Sequence, residues 1–159
     1  MRLTIAAVGR LKDDGERVLV DRYLERLTAG KPIGIGPARE HEITEARQTT
    51  VPERQADEAG RLLKLARQCD VIVAIDERGK AMTSAAFAAW LGARRDAGTR
   101  HAAFLIGGPD GHGLAIRAVA QLTLSLGSMT LPHGLARAVL AEQLYRAVTI
   151  LSGHPYHRG

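Results

Sequence analysis

Two hydrophobic periods alternate along the chain. Short continuous apolar runs are separated by stretches whose apolar residues recur three and four apart, the signature of strands buried on both faces and of amphipathic helices. Leu3 to Val8 reads as a buried strand closed by Gly9. Asp13 and Asp14 are N-cap candidates for a helix through Val18, Tyr23, Leu24 and Leu27, which Gly30 ends. Ile33 and Ile35 alternate with glycines and predict a weak strand running toward Ile43, against the presence of Pro37. Thr50-Val51-Pro52-Glu53 has the form of a capping box with proline in the first turn, opening a helix through Ala59, Leu62, Leu63 and Ala66. Val71 to Ile75 is a second clear buried strand. Ser84 is placed to cap a helix carrying Phe87, Trp90 and Leu91, with Arg94 and Arg95 in its last turn and Gly98 beyond it. Ala102 to Ile106 predicts a strand, Leu114 to Ala120 a short helix, Leu122 to Leu126 a last strand, and Leu135 to Leu151 a final helix.

Strands of this continuous apolar kind sit in parallel sheets covered by helices on both faces. The expectation is one α/β domain over residues 1–159, with no linker and no repeat. The final helix has an apolar stripe wider than one core contact requires. It reads either as a dimer face or as full burial under the sheet.

Composition narrows the function classes. The single cysteine, Cys69, excludes an intramolecular disulfide framework and a Cys-based zinc site. No apolar run is long enough to span a bilayer, and the apolar start is too short for a signal-peptide core, so a cytoplasmic protein is expected. Lys and Arg number 22 against 17 for Asp and Glu, a net charge of +5. The excess is uneven: from Gly111 onward the bases are Arg117, Arg137, Arg146 and Arg158, and the only acid is Glu142. A basic third of this kind fits an anionic partner such as nucleic acid, or simply an arginine-rich background.

Ligands of open α/β sheets bind beyond the carboxyl ends of the strands. Three such ends carry unusual residues: Ile75-Asp76-Glu77-Arg78-Gly79, Ile106-Gly107-Gly108-Pro109-Asp110-Gly111, and Gly127-Ser128-Met129-Thr130-Leu131-Pro132-His133. Their glycines allow a backbone to approach a ligand closely, or merely make tight turns. No G-x-G-x-x-G follows the first strand, no phosphate-binding G-x-x-x-x-G-K-[ST] occurs, and no G-x-S-x-G elbow is present. These absences argue against ordinary dinucleotide enzymes, P-loop NTPases and serine hydrolases. The tail His154-Pro155-Tyr156-His157-Arg158 lacks nearby Cys or carboxylate partners, so no metal site is expected there.

Taken together, Leu105 to Gly111, Thr130-Leu131-Pro132-His133, Leu144-Tyr145-Arg146-Ala147 and the tail His154 to Arg158 resemble the bacterial ribosomal RNA large subunit methyltransferase H family, in order and spacing across essentially the whole chain. Ala6 to Gly9 and the Ile75-Asp76 to Gly79-Lys80 stretch fit as well, while residues 30–68 match loosely and carry no motif. The resemblance implies a SPOUT-class α/β fold with a trefoil knot near the C-terminus, S-adenosylmethionine as methyl donor without a metal, and a homodimer. The substrate it implies is N3 of a pseudouridine in 23S rRNA within the assembled ribosome. The alternatives are a knotted methyltransferase acting on tRNA and an inactive, RNA-binding ribosome assembly factor.

By the same resemblance, Ile75, Gly107, Leu126, Gly127, Ser128, Met129, Thr130 and Leu131 hold the cofactor, through an apolar slot for adenine and backbone groups. Methylation of an imide nitrogen requires loss of its proton, and His157 and Glu142 are the candidate bases. The simpler reading of Glu142 is an i,i+4 ion pair with Arg146, and that of His157 is a loosely ordered end. Arg137, Arg146 and Arg158 are candidate RNA contacts, with His133 and Tyr156 placed to position the base.

Overall fold

The computed structural model describes residues 1–12, 14–29 and 33–156. The strands β1 (Arg2–Val8), β2 (Ala38–Ile43), β3 (Val71–Ala81), β4 (His101–Ile106) and β5 (Leu122–Ser125) form one sheet in the order β2-β1-β4-β3-β5. Every pairing is parallel. Parallel neighbours require crossovers. The helices α1 (Gly15–Ala29), α2 (Val51–Ala66), α3 (Ser84–Asp96) and α4 (Leu114–Val119) lie between successive strands, and α5 (His133–Leu151) follows the last.

Side chains alternate across a strand, so each apolar run feeds two cores. On one face Leu3, Ile5, Ala7, Val73 and Phe104 pack with Leu27 of α1, Phe87 and Leu91 of α3, and Leu140, Leu144 and Val148 of α5. On the other, Ala6, Val8, Ala74, Ala103 and Leu105 pack with Ala59, Leu62 and Ala66 of α2 and Ile116 of α4. Two-sided burial is why these strands read as continuous rather than alternating runs.

Several boundaries differ from the sequence expectation, each for a local reason. β2 begins at Ala38 rather than near Ile33. Gly34 and Gly36 take φ of +78° and +114°, outside the strand region, and a Cβ on Gly36 would lie 2.8 Å from the Leu27 carbonyl oxygen. The cap of α3 is Thr83, whose Oγ1 accepts from the Ala86 N–H at 3.1 Å; Ser84 instead donates to Gln143 Oε1 at 2.7 Å. The capping box at Thr50 and Glu53 is present as read. Before α1, the Asp14 carbonyl accepts from the Val18 N–H, whereas Asp13 and Gly30 lie outside the described residues. β5 stops at Ser125, because its Oγ accepts from the Gly127 N–H and donates to the Gly127 carbonyl, turning the chain. β3 runs on to Ala81 through polar sequence, beyond the expected end at Ile75.

Much of the apolar surface of α5 is buried within the chain. Ala138, Leu140, Ala141, Leu144, Ala147 and Val148 are buried, with α1 and α3 packed on the same helix. Leu135, by contrast, is 42% exposed, and Ala136, Val139 and Leu151 are half-buried, so the stripe is only partly covered within the chain. Among the described residues, no helix is long and apolar enough to cross a membrane.

Candidate functional site

The carboxyl ends of β3, β4 and β5 open into one groove of about 850 Å³. It is lined by a bulge after Ile75, the glycine loop after Ile106, the segment after Ser125, and the first turn of α5. This is the location the strand-end rule anticipates.

The bulge arises because β3 meets Leu124 of β5 twice, first through Ile75 and again through Lys80. Residues 76–79 loop out between. Gly79 closes the loop against β5, where a Cβ would lie 2.7 Å from the Leu124 carbonyl carbon and 2.8 Å from the Ser125 nitrogen. Asp76 points inward: its Oδ2 accepts from Arg117 Nη2 at 2.8 Å and its Oδ1 from the Arg78 N–H at 3.0 Å. Burial alone would push this carboxyl up; the Arg78 amide and the Arg117 guanidinium more than offset that and hold it below the usual carboxylate range. Glu77 Oε2 accepts from Thr130 Oγ1 at 3.2 Å, linking the bulge to the third loop.

The glycine loop is shaped by its own backbone. The Gly111 N–H donates to the Gly108 carbonyl at 2.9 Å, and a Cβ on Gly107 would lie 2.9 Å from the Gly111 carbonyl carbon. A Cβ on Gly108 would meet Glu58 Oε2 at 2.9 Å and Val8 Cγ1 at 3.1 Å. The first turns of α2 hold the loop from outside. Arg54 donates to both oxygens of Asp110, at 2.7 and 3.3 Å, and Gln55 Nε2 donates to the Asp110 carbonyl at 2.7 Å. His112 is buried behind the loop, with Nε2–H donating to the Leu105 carbonyl at 2.9 Å. Burial pushes its imidazole below the usual histidine range; that hydrogen bond opposes the shift without cancelling it.

Of the residues assigned to a cofactor from sequence, Ile75, Gly107, Leu126, Gly127, Met129, Thr130 and Leu131 line the groove; Ser128 is not among its lining residues. His133 lines it too, at the start of α5, with Nε2 3.9 Å from Glu45 Oε1.

Arg137 requires a correction. It is fully buried, its side chain 0% exposed. Its Nη1 donates to Glu42 Oε1 at 2.7 Å and Glu40 Oε1 at 3.3 Å, and its Nη2 donates to the carbonyls of Val8 at 2.8 Å and Gly9 at 2.6 Å. Arg17 binds the same two carboxylates, each at 2.6 Å. A guanidinium so enclosed has no surface to offer a phosphate. Arg137 instead pins the first turns of α5 to the ends of β1 and β2.

Comparison with known proteins places this geometry. The chain matches the family described as "Predicted SPOUT methyltransferase" over residues 1–157. The chain belongs to the SPOUT methyltransferase family. It is 50% identical over 159 residues to proteins named "Ribosomal RNA large subunit methyltransferase H" from Brucella anthropi and Rhizobium etli, with 99% of each chain covered in both comparisons. Among solved structures, a probable methylase family protein from Haemophilus influenzae matches with a TM-score of 0.56 at 10% identity, covering 99% of this chain and 70% of that one. At that identity the likeness is one of fold.

In this SPOUT methyltransferase the remaining candidates gather away from the groove. Glu142 Oε1 accepts from Arg146 Nε at 2.9 Å, Arg146 Nη2 at 2.6 Å and Tyr156 Oη at 3.1 Å. The i,i+4 ion pair is therefore present. The Tyr156 ring stands edge-on to Tyr145 with centroids 4.9 Å apart, under the Arg146 guanidinium at 5.1 Å. Burial, together with Tyr23 and Glu142, pushes the Tyr156 phenol up. None of Glu142, Arg146 and Tyr156 lines the groove. His157 and Arg158 lie outside the described residues.

Sequence reasoning missed Arg54, Gln55, His112 and Arg117 as shapers of the groove. Asp76 had a usable signal, since it directly follows Ile75 at a strand end. Arg54 and Arg117 had none: their partners lie 56 and 41 residues away.

Proposed function

We propose that this chain is an S-adenosylmethionine-dependent methyltransferase that methylates N3 of a pseudouridine in 23S rRNA within the assembled ribosome. It acts in the cytoplasm as a homodimer of single SPOUT domains spanning residues 1–159, with the threaded C-terminus that its sequence resemblance implies. The carrying observation is the groove: three loops read from sequence as cofactor-binding converge there, in a chain 50% identical along its length to proteins named for rRNA methylation.

The residues present fit the donor. Ile75, Ile106, Leu126 and Leu131 supply apolar surface, and Gly107, Gly108 and Gly127 keep backbone groups within reach of a flat base. Arg117, at the same groove, has a buried Nε with no hydrogen-bond partner. When bound, S-adenosylmethionine supplies a methyl group on a positively charged sulfur. The protein's task is to hold donor and acceptor in line and close together, which for two oriented reactants removes much of the barrier. The bulge at residues 76–79, the clamp from α2 and the Arg137 anchor of α5 keep the three loops in place for that task. His133 sits beside the groove to contact the base or a phosphate.

The N3 proton of the acceptor needs a base. Glu142 Oε1 is occupied by three donors. We therefore assign the base role to His157 and give Glu142 the task of holding Tyr156 and Arg146. Because this cluster lies away from its own groove, the tail serves the groove of the other subunit, where Tyr156, Arg146 and Arg158 face RNA. Exposed apolar groups at the groove margin, Met129 at 79% and Leu114 at 83%, are surfaces for a partner to cover.

Mass spectrometry of nucleosides from 23S rRNA of a deletion strain tests the reading. The expected result is loss of an N3-methylated pseudouridine, restored by the intact gene. An unchanged 23S profile with a missing tRNA modification, or no missing modification at all, would overturn it.

A further inference from the structure

We infer that Arg117, aimed by Asp76, is the subsite for the α-carboxylate of the methyl donor's amino-acid end, an inference that rests on the donor being S-adenosylmethionine. That donor has two unlike ends. Its adenosyl end is flat and suits the apolar and glycine-rich lining. Its other end is a zwitterionic amino acid, which an apolar groove accepts only with a charge partner.

The charged side chains at the groove differ in how they are held. Asp110 is engaged at both oxygens by Arg54. Glu77 is exposed and accepts from Thr130. Arg78 is exposed, and no contact among the described residues orients its side chain. Asp76 and Arg117 are the built pair. The Asp76 side chain is only 6% exposed and holds Arg117 Nη2 at 2.8 Å, while a third of the Arg117 side chain stays exposed. Asp76 accounts for one terminal nitrogen, and no other guanidinium donor of Arg117 has a partner among the described residues. Asp76 also adjoins Ile75 in the chain, so the pair sits about one residue, roughly 3.8 Å along the backbone, from the apolar slot. An arginine with free donors beside such a slot suits a carboxylate, since its planar fork matches that geometry. Asp76 acts here as a positioning residue.

Calorimetric binding of two adenosyl compounds to the full chain tests the assignment: S-adenosylhomocysteine, which carries the amino-acid end, and 5′-methylthioadenosine, which lacks it. Arg117→Met should weaken S-adenosylhomocysteine by about tenfold to a hundredfold, the range of a charged hydrogen bond. It should leave methylthioadenosine within about twofold. Arg117→Gln, which keeps a polar head in place, should behave the same way and serves if the methionine variant does not fold cooperatively. Equal loss of both compounds, or no loss of S-adenosylhomocysteine, would overturn the assignment and leave the donor reading intact. Failure of the unaltered chain to bind S-adenosylhomocysteine would overturn the donor reading and this inference with it.

Discussion

Arg137 and His112 show how single buried polar groups hold the groove. Arg137 shares Glu40 and Glu42 with Arg17 and satisfies two strand-end carbonyls, so removing it leaves two carboxylates to one guanidinium and takes the side-chain donor from the Val8 and Gly9 carbonyls. Breaking a buried pair from one side typically costs about 3–5 kcal/mol. Arg137→Met should lower stability by an amount of that order in urea denaturation; a loss below about 1 kcal/mol would show that the cluster is not the anchor of α5. His112 gives a pH effect whose sign follows from its burial. Its folded form holds the imidazole below the ordinary value of 6.5, so the neutral ring is favoured in the fold. Below 6.5 the unfolded chain takes up a proton that the folded chain does not, and stability falls as pH drops toward the folded value. His101, shifted the same way by burial, adds to this slope. His112→Gln should therefore flatten, without abolishing, the loss of stability on acidification below about pH 6.5. An unaltered slope would mean that His112 titrates as it does in the unfolded chain.

At the scale of elements, β3 carries the most consequential departure from pattern. Its apolar half, Val71 to Ile75, was legible because two-sided burial imposes a continuous run. Its polar half, Asp76 to Ala81, was not: pairing with β5 resumes only after a bulge, and a bulge has no hydrophobic period. The capping box at Thr50 was legible because its partners are three residues apart, whereas at Thr83 and Ser84 two adjacent hydroxyls offered the same cap and only packing against Gln143 separated them. The glycine clusters located the groove correctly, since ligand sites and tight turns at strand ends draw on the same residue. What holds those loops, Arg54 on Asp110 and Arg117 on Asp76, comes from distant chain segments that only the folded sheet brings together. Gly79→Ala tests the bulge. With a Cβ 2.7 Å from the β5 backbone, the lip cannot close as it does now. The variant should keep the sheet, as judged by circular dichroism, lose at least about 1 kcal/mol of stability, and lose affinity for S-adenosylhomocysteine. Wild-type affinity would detach the bulge from the binding site.

For the whole molecule, the decisive separation is between the groove at the strand ends and the Glu142, Arg146 and Tyr156 cluster on α5 and the tail. If both belong to one catalytic site, a second chain must bring the tail, and the site is complete only in a dimer. Light scattering should accordingly give twice the chain mass at micromolar concentration. The stricter test mixes two inactive chains. One is truncated from His154, which removes Tyr156 and the residues beyond it while leaving the groove intact. The other carries Gly107→Val, whose side chain would strike the Gly111 backbone and deform the groove while leaving the tail intact. In a heterodimer with shared sites, the groove of the truncated chain meets the tail of the variant chain, and one of the two sites is whole. Activity should return to about half the wild-type rate at best, since positioning is local to each site. If each chain works alone, no subunit in the mixture carries both parts and the mixture stays inactive. An inactive mixture, with the heterodimer verified by native mass spectrometry, would confine the tail's action to its own chain. Tyr156 would then have to leave Glu142 and Tyr145 before the tail could reach the groove.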